Sequence, residues 1–211
     1  KITNQVGGLK AILSGRIELY PHQAFVASTV LTDPVRRYIL ADEVGLGKTV
    51  EAGIVIHDLL INQPDAKILV IAPGPLCRQW LAEIYISFGG QRFNLADLHD
   101  PSKVELNRWK KVICSTDLLI GELKEKVSSI NWDMIIVDEV HNLIASEYLY
   151  DSIKALTKKT RDVLLLSAVP VRQKENELYR LLALLDANRY QQSNLQQEKF
   201  VELYNYQDLI G

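Results

Sequence analysis

The chain has 211 residues, 47% of them hydrophobic, enough to bury a substantial core within one compact domain. With 24% charged residues and a formal net charge of -2 it lacks the basic excess of a nucleic-acid coat protein, so any contact to a polyanion has to be local. No apolar run approaches the roughly 18 residues that cross a bilayer, the N-terminus lacks the layout of a signal peptide, and Cys77 and Cys114 stand far apart without CxxC spacing. These features point away from membrane, secreted and thiolate-metal classes, towards buried thiols in a reducing cytoplasm. The first residue, Lys1, is not methionine, which predicts a piece of a longer protein.

Along the chain, short β-branched runs at residues 38–41, 67–72, 112–115, 134–137 and 163–167 alternate with helical stretches. That alternation predicts an α/β fold with a mostly parallel central sheet covered on both faces, and the unbroken apolar character of the strands predicts central, doubly buried positions. Leu76, Trp80, Ile84 and Phe88 recur every four residues, and Leu178, Leu181, Leu182 and Leu185 every three to four, each set giving one apolar helix face. Trp80 and Trp132 are expected in the core. Gly89-Gly90 and Asp100-Pro101 punctuate the middle. After about Asn188 the chain turns polar, so residues 1–190 are expected to form the domain and 191–211 a surface extension.

The stretch Ala41-Asp42-Glu43-Val44-Gly45-Leu46-Gly47-Lys48-Thr49 follows a predicted strand and opens a helical run from Val50 to about Leu60, the context of a phosphate-binding loop. Glycines at 45 and 47 allow backbone conformations in which successive N–H groups point at phosphate oxygens, and the helix N-terminus adds a favourable dipole. Lys48 offers a positive charge to the terminal phosphates, and the Thr49 hydroxyl can ligate magnesium. Asp42 stands where the strict pattern has its first glycine.

About ninety residues later, the run at 134–137 leads into Asp138-Glu139-Val140-His141. Adjacent carboxylates at the end of a buried strand are costly unless a cation or a proton-transfer task holds them there. In a nucleotide hydrolase both uses exist: Asp138 would bind magnesium and Glu139 would orient and deprotonate the attacking water, the other reading being a solvated strand end with routine acidic residues.

Residues 42–49 together with 138–141 resemble motifs I and II of superfamily 2 helicases of the Swi2/Snf2 type, where an aspartate in the Asp42 position is usual. Val44 and the following Val50-Glu51-Ala52-Gly53 are similar to its bacterial, RapA-like branch. The resemblance implies a first RecA-like lobe, three-layered α/β/α, that binds ATP and Mg2+ through Gln23, Asp42, Glu43, Val44, Gly45, Leu46, Gly47, Lys48, Thr49 and His141. Lys48, Asp138 and Glu139 would be catalytic, and Thr49 and Asp138 would hold the metal. Tyr20-Pro21-His22-Gln23 resembles the Q motif, with Gln23 reading the adenine edge. Residues 73–80 are similar to motif Ia, and Leu165 to Pro170 are placed like motif III, with Val169 where the family usually carries threonine. Arg78, Ser115 and Thr116 are placed to touch nucleic acid. His141 has two readings, a bridge from the nucleotide site to motif III or a structural residue.

What the resemblance implies for the whole protein is a DNA-dependent ATPase that translocates on double-stranded DNA. Its partners would be a second RecA-like lobe of the same polypeptide and RNA polymerase or another nucleoprotein. That second lobe, with its arginine fingers, has no counterpart after motif III here, and Arg172, Arg180 and Arg189 cannot replace it by spacing. Two rivals share the motifs: another superfamily 2 enzyme, such as an RNA helicase or a restriction-type translocase, and a degenerate lobe that only docks a polymerase.

Overall fold

The structure is a computed structural model that describes residues 20–41, 47–88, 92–96, 104–121, 123–144, 146–168 and 175–190. The expected extension at 191–211, the loop residues Asp42 to Leu46, and Val169 and Arg172 lie outside the described residues.

Six strands form one sheet, all neighbours parallel: β1 Arg37–Ala41, β2 Ile68–Ala72, β3 Asn94–Ala96, β4 Lys111–Ser115, β5 Met134–Val137 and β6 Asp162–Ser167, in the order β1-β6-β5-β2-β4-β3. The helices are α1 Pro21–Thr32, α2 Lys48–Asn62, α3 Gly74–Ser87, α4 Leu123–Ser129, α5 Val140–Ile144, α6 Glu147–Lys159 and α7 Glu175–Leu185, with one 3-10 turn at Thr116–Leu119. This bears out the α/β class and the parallel sheet.

The two faces follow from the two-residue period of a strand. Ile68, Val70, Met134, Ile136, Leu164 and Leu166 point into a core shared with Ala27 and Val30 of α1, Ile54 and Val55 of α2, and Trp80 and Ile84 of α3. Leu69, Ile71, Ile135, Val137, Val163 and Leu165 point the other way, onto Val127 of α4, Val140 of α5, Ile153 and Leu156 of α6 and Leu181 of α7. Both faces of β2, β5 and β6 are thus dry, which is why their sequences read as unbroken apolar runs.

Two sequence expectations need correction, and one strand went unread. The run at 38–41 is β1, an edge strand whose residues 37–39 are only half-buried, because an apolar run reports the cover above and below a strand but not its lateral neighbours. The three-residue edge strand β3 is too short to leave a pattern. In α7 the buried side chains are Tyr179, Leu181, Ala183 and Leu184, while Leu178, Leu182 and Leu185 are half-buried.

β1 is anchored from below. The Arg37 guanidinium donates to the carbonyls of Thr157 at 3.0 Å and Leu184 at 3.1 Å, closing the C-terminal ends of α6 and α7 on β1. Burial lowers its pKa, opposed by Asp186 and Asp162.

Candidate functional site

Residues far apart in sequence meet at the C-terminal ends of the parallel strands. Register pairs Ala41 with Ser167, Ala72 with Ser115 and Ile71 with Val137, so the chain leaves β1, β2, β4, β5 and β6 along one rim. In open parallel sheets, ligands bind at that rim where the strand order reverses. A cavity of about 360 Å³ lies there, and Gly47, Lys48, Thr49, Asp138 and Glu139 line it together with Leu76, Gln79, Trp80 and Glu83 of α3. The ammonium group, the threonine hydroxyl and the acidic pair singled out in the sequence therefore share one pocket.

Gly47 precedes α2 with φ of 89°, a left-handed conformation that a side-chained residue rarely adopts. The space a Cβ would take there is filled by the Gln23 amide. Gln23 is buried, and its Oε1 accepts from the Tyr20 N–H at 3.1 Å, capping α1. The residue expected to read adenine thus also packs α1 against the start of α2. Beside it the exposed rings of Tyr20 and His22 stack with centroids 5.8 Å apart.

The acidic turn after β5 is tightly held. Asp138 is 7% exposed, and its backbone N–H continues the sheet by donating to Ile71 O at 2.8 Å. Its Oδ1 accepts from the Glu139 N–H at 2.9 Å, and its Oδ2 accepts from the Trp80 indole Nε1–H at 2.7 Å. Glu139 has φ of 49°, a left-handed value uncommon for a residue with a side chain. Nδ1 of His141 lies 3.3 Å from Glu139 Oε2 and 3.3 Å from Ser167 Oγ. Of its two sequence readings, this position joins the acidic turn to the end of β6.

Sequence reasoning missed the wall that α3 gives the pocket, Leu76, Gln79, Trp80 and Glu83. Trp80 was expected in the core, where it does sit at 1% exposure, yet its polar edge reaches Asp138. Glu83, one turn further along α3, adds a third carboxylate, whose pKa burial pushes up with help from Asp138. The nearest sequence signal was the four-residue apolar spacing of α3, which says nothing about what lies across the cavity.

The expected nucleic-acid residues cluster on the same rim, around the N-terminus of α3. Arg78 is exposed and Thr116 half-buried, whereas Ser115 is 9% exposed, with its hydroxyl buried and no hydrogen-bond partner among the described residues. A Cβ on Gly74 would stand 3.9 Å from Ser115 and 4.0 Å from the Asp117 carboxylate. Arg180 is engaged elsewhere: it pairs with Glu147 at 2.6 Å and lies over the Tyr150 ring, 4.1 Å from its centroid.

Comparison with known families gives a match to the SNF2-related domain over residues 23–208. The chain belongs to the SNF2-related family. It is an ATPase lobe of that family, and RapA-like. The RNA polymerase-associated protein RapA of Pectobacterium atrosepticum is 36% identical over 199 residues, covering 88% of this chain and 20% of the relative. That of Photobacterium profundum is 36% identical over 208 residues, covering 90% and 21%. The chain spans about a fifth of the length of the curated relatives it matches. The Sulfolobus solfataricus SWI2/SNF2 ATPase core solved in complex with dsDNA superposes with a TM-score of 0.73 at 20% identity, over 91% of this chain and 44% of that one, which establishes the shared fold.

The donor set fits the nucleotide and metal that SNF2 ATPases use. One ammonium and three carboxylates around a single cavity would repel a triphosphate unless a divalent cation joined them. Carboxylate and hydroxyl oxygens are the hard donors that magnesium takes. The start of α2, whose first residues Lys48 and Thr49 line the cavity, supplies the helix N-terminus that a phosphate favours.

Proposed function

We propose that this lobe binds ATP with Mg2+ in the cavity between α2 and α3, and that the intact protein hydrolyses ATP to move along double-stranded DNA. The observation that carries the reading is the gathering of Lys48, Thr49, Asp138 and Glu139 around one pocket at the strand ends.

In this reading the backbone N–H groups at the start of α2, with Lys48, hold the β- and γ-phosphates, and the α2 dipole favours their charge. The residues that would hold magnesium are Thr49 and Asp138, and the metal when bound neutralises charge on the phosphate oxygens. Glu139 orients a water for in-line attack and accepts its proton on the side-chain carboxylate. The new bond joins the water oxygen to the γ-phosphorus as the bond to the ADP oxygen breaks. Gln23 and the Tyr20–His22 stack border the start of α2, where the adenine would lie.

A second RecA-like lobe closes on this pocket and supplies arginine fingers, worth about 10³ to 10⁵ in rate. The isolated 211-residue chain therefore binds nucleotide weakly and turns it over very slowly. Duplex contacts come from Arg78, Thr116 and backbone N–H groups at the α3 N-terminus, with the Ser115 hydroxyl reached if the rim opens. Such contacts are to phosphates, independent of sequence, and weaken as salt rises. We take RNA polymerase or another nucleoprotein as the partner and the cytoplasm as the location, a reading supported by the Sulfolobus core having been solved with dsDNA and by the RapA relatives being named for RNA polymerase.

Binding of a fluorescent ATP analogue to this chain, beside a Lys48→Ala variant, tests the pocket directly. Loss of binding in the variant is expected. Equal binding by both would overturn the reading.

A further inference from the structure

We propose that Trp80 is a positioning residue that fixes the orientation of the Asp138 carboxylate. The proposal rests on the reading of Asp138 as a magnesium-binding residue. Trp80 belongs to α3 and Asp138 to the turn after β5, 58 positions apart, and the indole Nε1–H donates to Oδ2 at 2.7 Å. Asp138 is fixed at two further points, by the Glu139 N–H on Oδ1 at 2.9 Å and by its own N–H to Ile71 O at 2.8 Å. With one donor on each oxygen, turning the carboxylate about its last bond would break hydrogen bonds, and each oxygen keeps a lone pair for the cavity.

The choice of donor follows from charge. A carboxylate that is 7% exposed needs hydrogen bonds in place of its lost water. Lysine or arginine would provide them but would also cancel the charge that attracts a divalent cation. An indole donates one hydrogen, accepts none and carries no charge, so it orients Asp138 and leaves its attraction for the metal intact. The apolar body of Trp80, 1% exposed and packed in the core of α3 and the sheet, makes that donor immobile. The chain has two other tryptophans, and Trp132 offers a built-in contrast because its Nε1–H donates to the neutral carbonyl of Val127 at 3.0 Å.

The test is fluorescent ADP binding to the full chain with and without Mg2+, for wild type, Trp80→Phe, Asp138→Asn and Lys48→Ala. Removing a residue that orients a metal ligand typically costs about 10- to 100-fold in metal affinity. Trp80→Phe, which keeps an aromatic ring and deletes the donor, is therefore expected to cut the affinity gained on adding Mg2+ by about that factor. An unchanged gain in Trp80→Phe, with the gain lost in Asp138→Asn, would overturn the positioning role and leave the site standing. An unchanged affinity in Lys48→Ala and an unchanged gain in Asp138→Asn would overturn the site itself, and the role with it. Should Trp80→Phe fail to fold, the indole N–H proton resonances of the wild-type chain decide. The Trp80 signal, identified by its displacement in Asp138→Asn, is expected to move on adding Mg2+ and ADP while the Trp132 signal stays. Equal behaviour of the two would refute the proposal.

Discussion

Nδ1 of His141 stands 3.3 Å from Ser167 Oγ, and the same nitrogen stands 3.3 Å from Glu139 Oε2. One ring nitrogen serves these partners in different states: carrying hydrogen it donates to Glu139, and bare it accepts from the Ser167 hydroxyl. The contact ties the proposed water-orienting carboxylate to Ser167 at the end of β6, within the stretch that resembles motif III. Replacing His141 by alanine is expected to lower DNA-stimulated ATP turnover of the intact protein by about 0.5–2 kcal/mol of coupling, leaving nucleotide affinity largely in place. Ser167→Ala should do the same, and the double variant should be no worse than either. Additive losses would show that the two residues act separately.

Gly53 lies within α2, where alanine would ordinarily be the better helix former by about 0.5–1 kcal/mol. Here a Cβ would run into the ring of Phe88, itself 4% exposed. Gly53→Ala is therefore expected to destabilise the fold by about 1–3 kcal/mol, the usual cost of overpacking. Chemical denaturation gives the sign at once, and a stabilised variant would contradict the packing described.

His57 faces the same ring, with centroids 5.5 Å apart, and burial lowers its pKa below the ordinary 6.5 although Asp58 opposes this. Below 6.5 the unfolded chain takes up a proton that the folded histidine refuses, so the stability His57 contributes is present above that pH and is lost as pH falls through the lowered folded value. Denaturation midpoints of wild type and His57→Gln, followed from pH about 7.5 down to about 5.5, should converge or cross on the acid side. Parallel curves would mean that His57 titrates alike in both states.

Burial, with Asp117 and Asp138 nearby, pushes the Cys77 thiol up to about 11, and complete burial raises that of Cys114 further. Since the thiolate is the reactive form, neither cysteine should react with a disulfide reagent at pH about 8 until the chain is unfolded. Rapid modification of the native chain would show that the rim near α3 opens.

That Lys48, Thr49, Asp138 and Glu139 belong to one cavity was legible because each pair sits in a contiguous set of residues whose chemistry has few other uses, and the strands were legible because burial on both faces leaves long apolar runs. The Trp80–Asp138 bond was not legible: an apolar helical spacing identifies a buried tryptophan but cannot say which group its N–H meets 58 residues away. Glu83 escaped for a related reason, since a single acidic residue on a half-buried helix face resembles ordinary solvated surface until the opposite wall of the cavity is known. β1 was assigned the right type and the wrong place in the sheet, because strand order is a property of the connections and not of the strand.

Lys48, Asp138 and Glu139 are proposed to form one hydrolytic pocket driven by duplex DNA. ATP turnover by the intact protein, measured with and without double-stranded DNA beside Lys48→Ala and Glu139→Gln, tests it most directly. Turnover stimulated by duplex and abolished in both variants is the expected result. Turnover indifferent to DNA, or untouched by either substitution, would contradict the account.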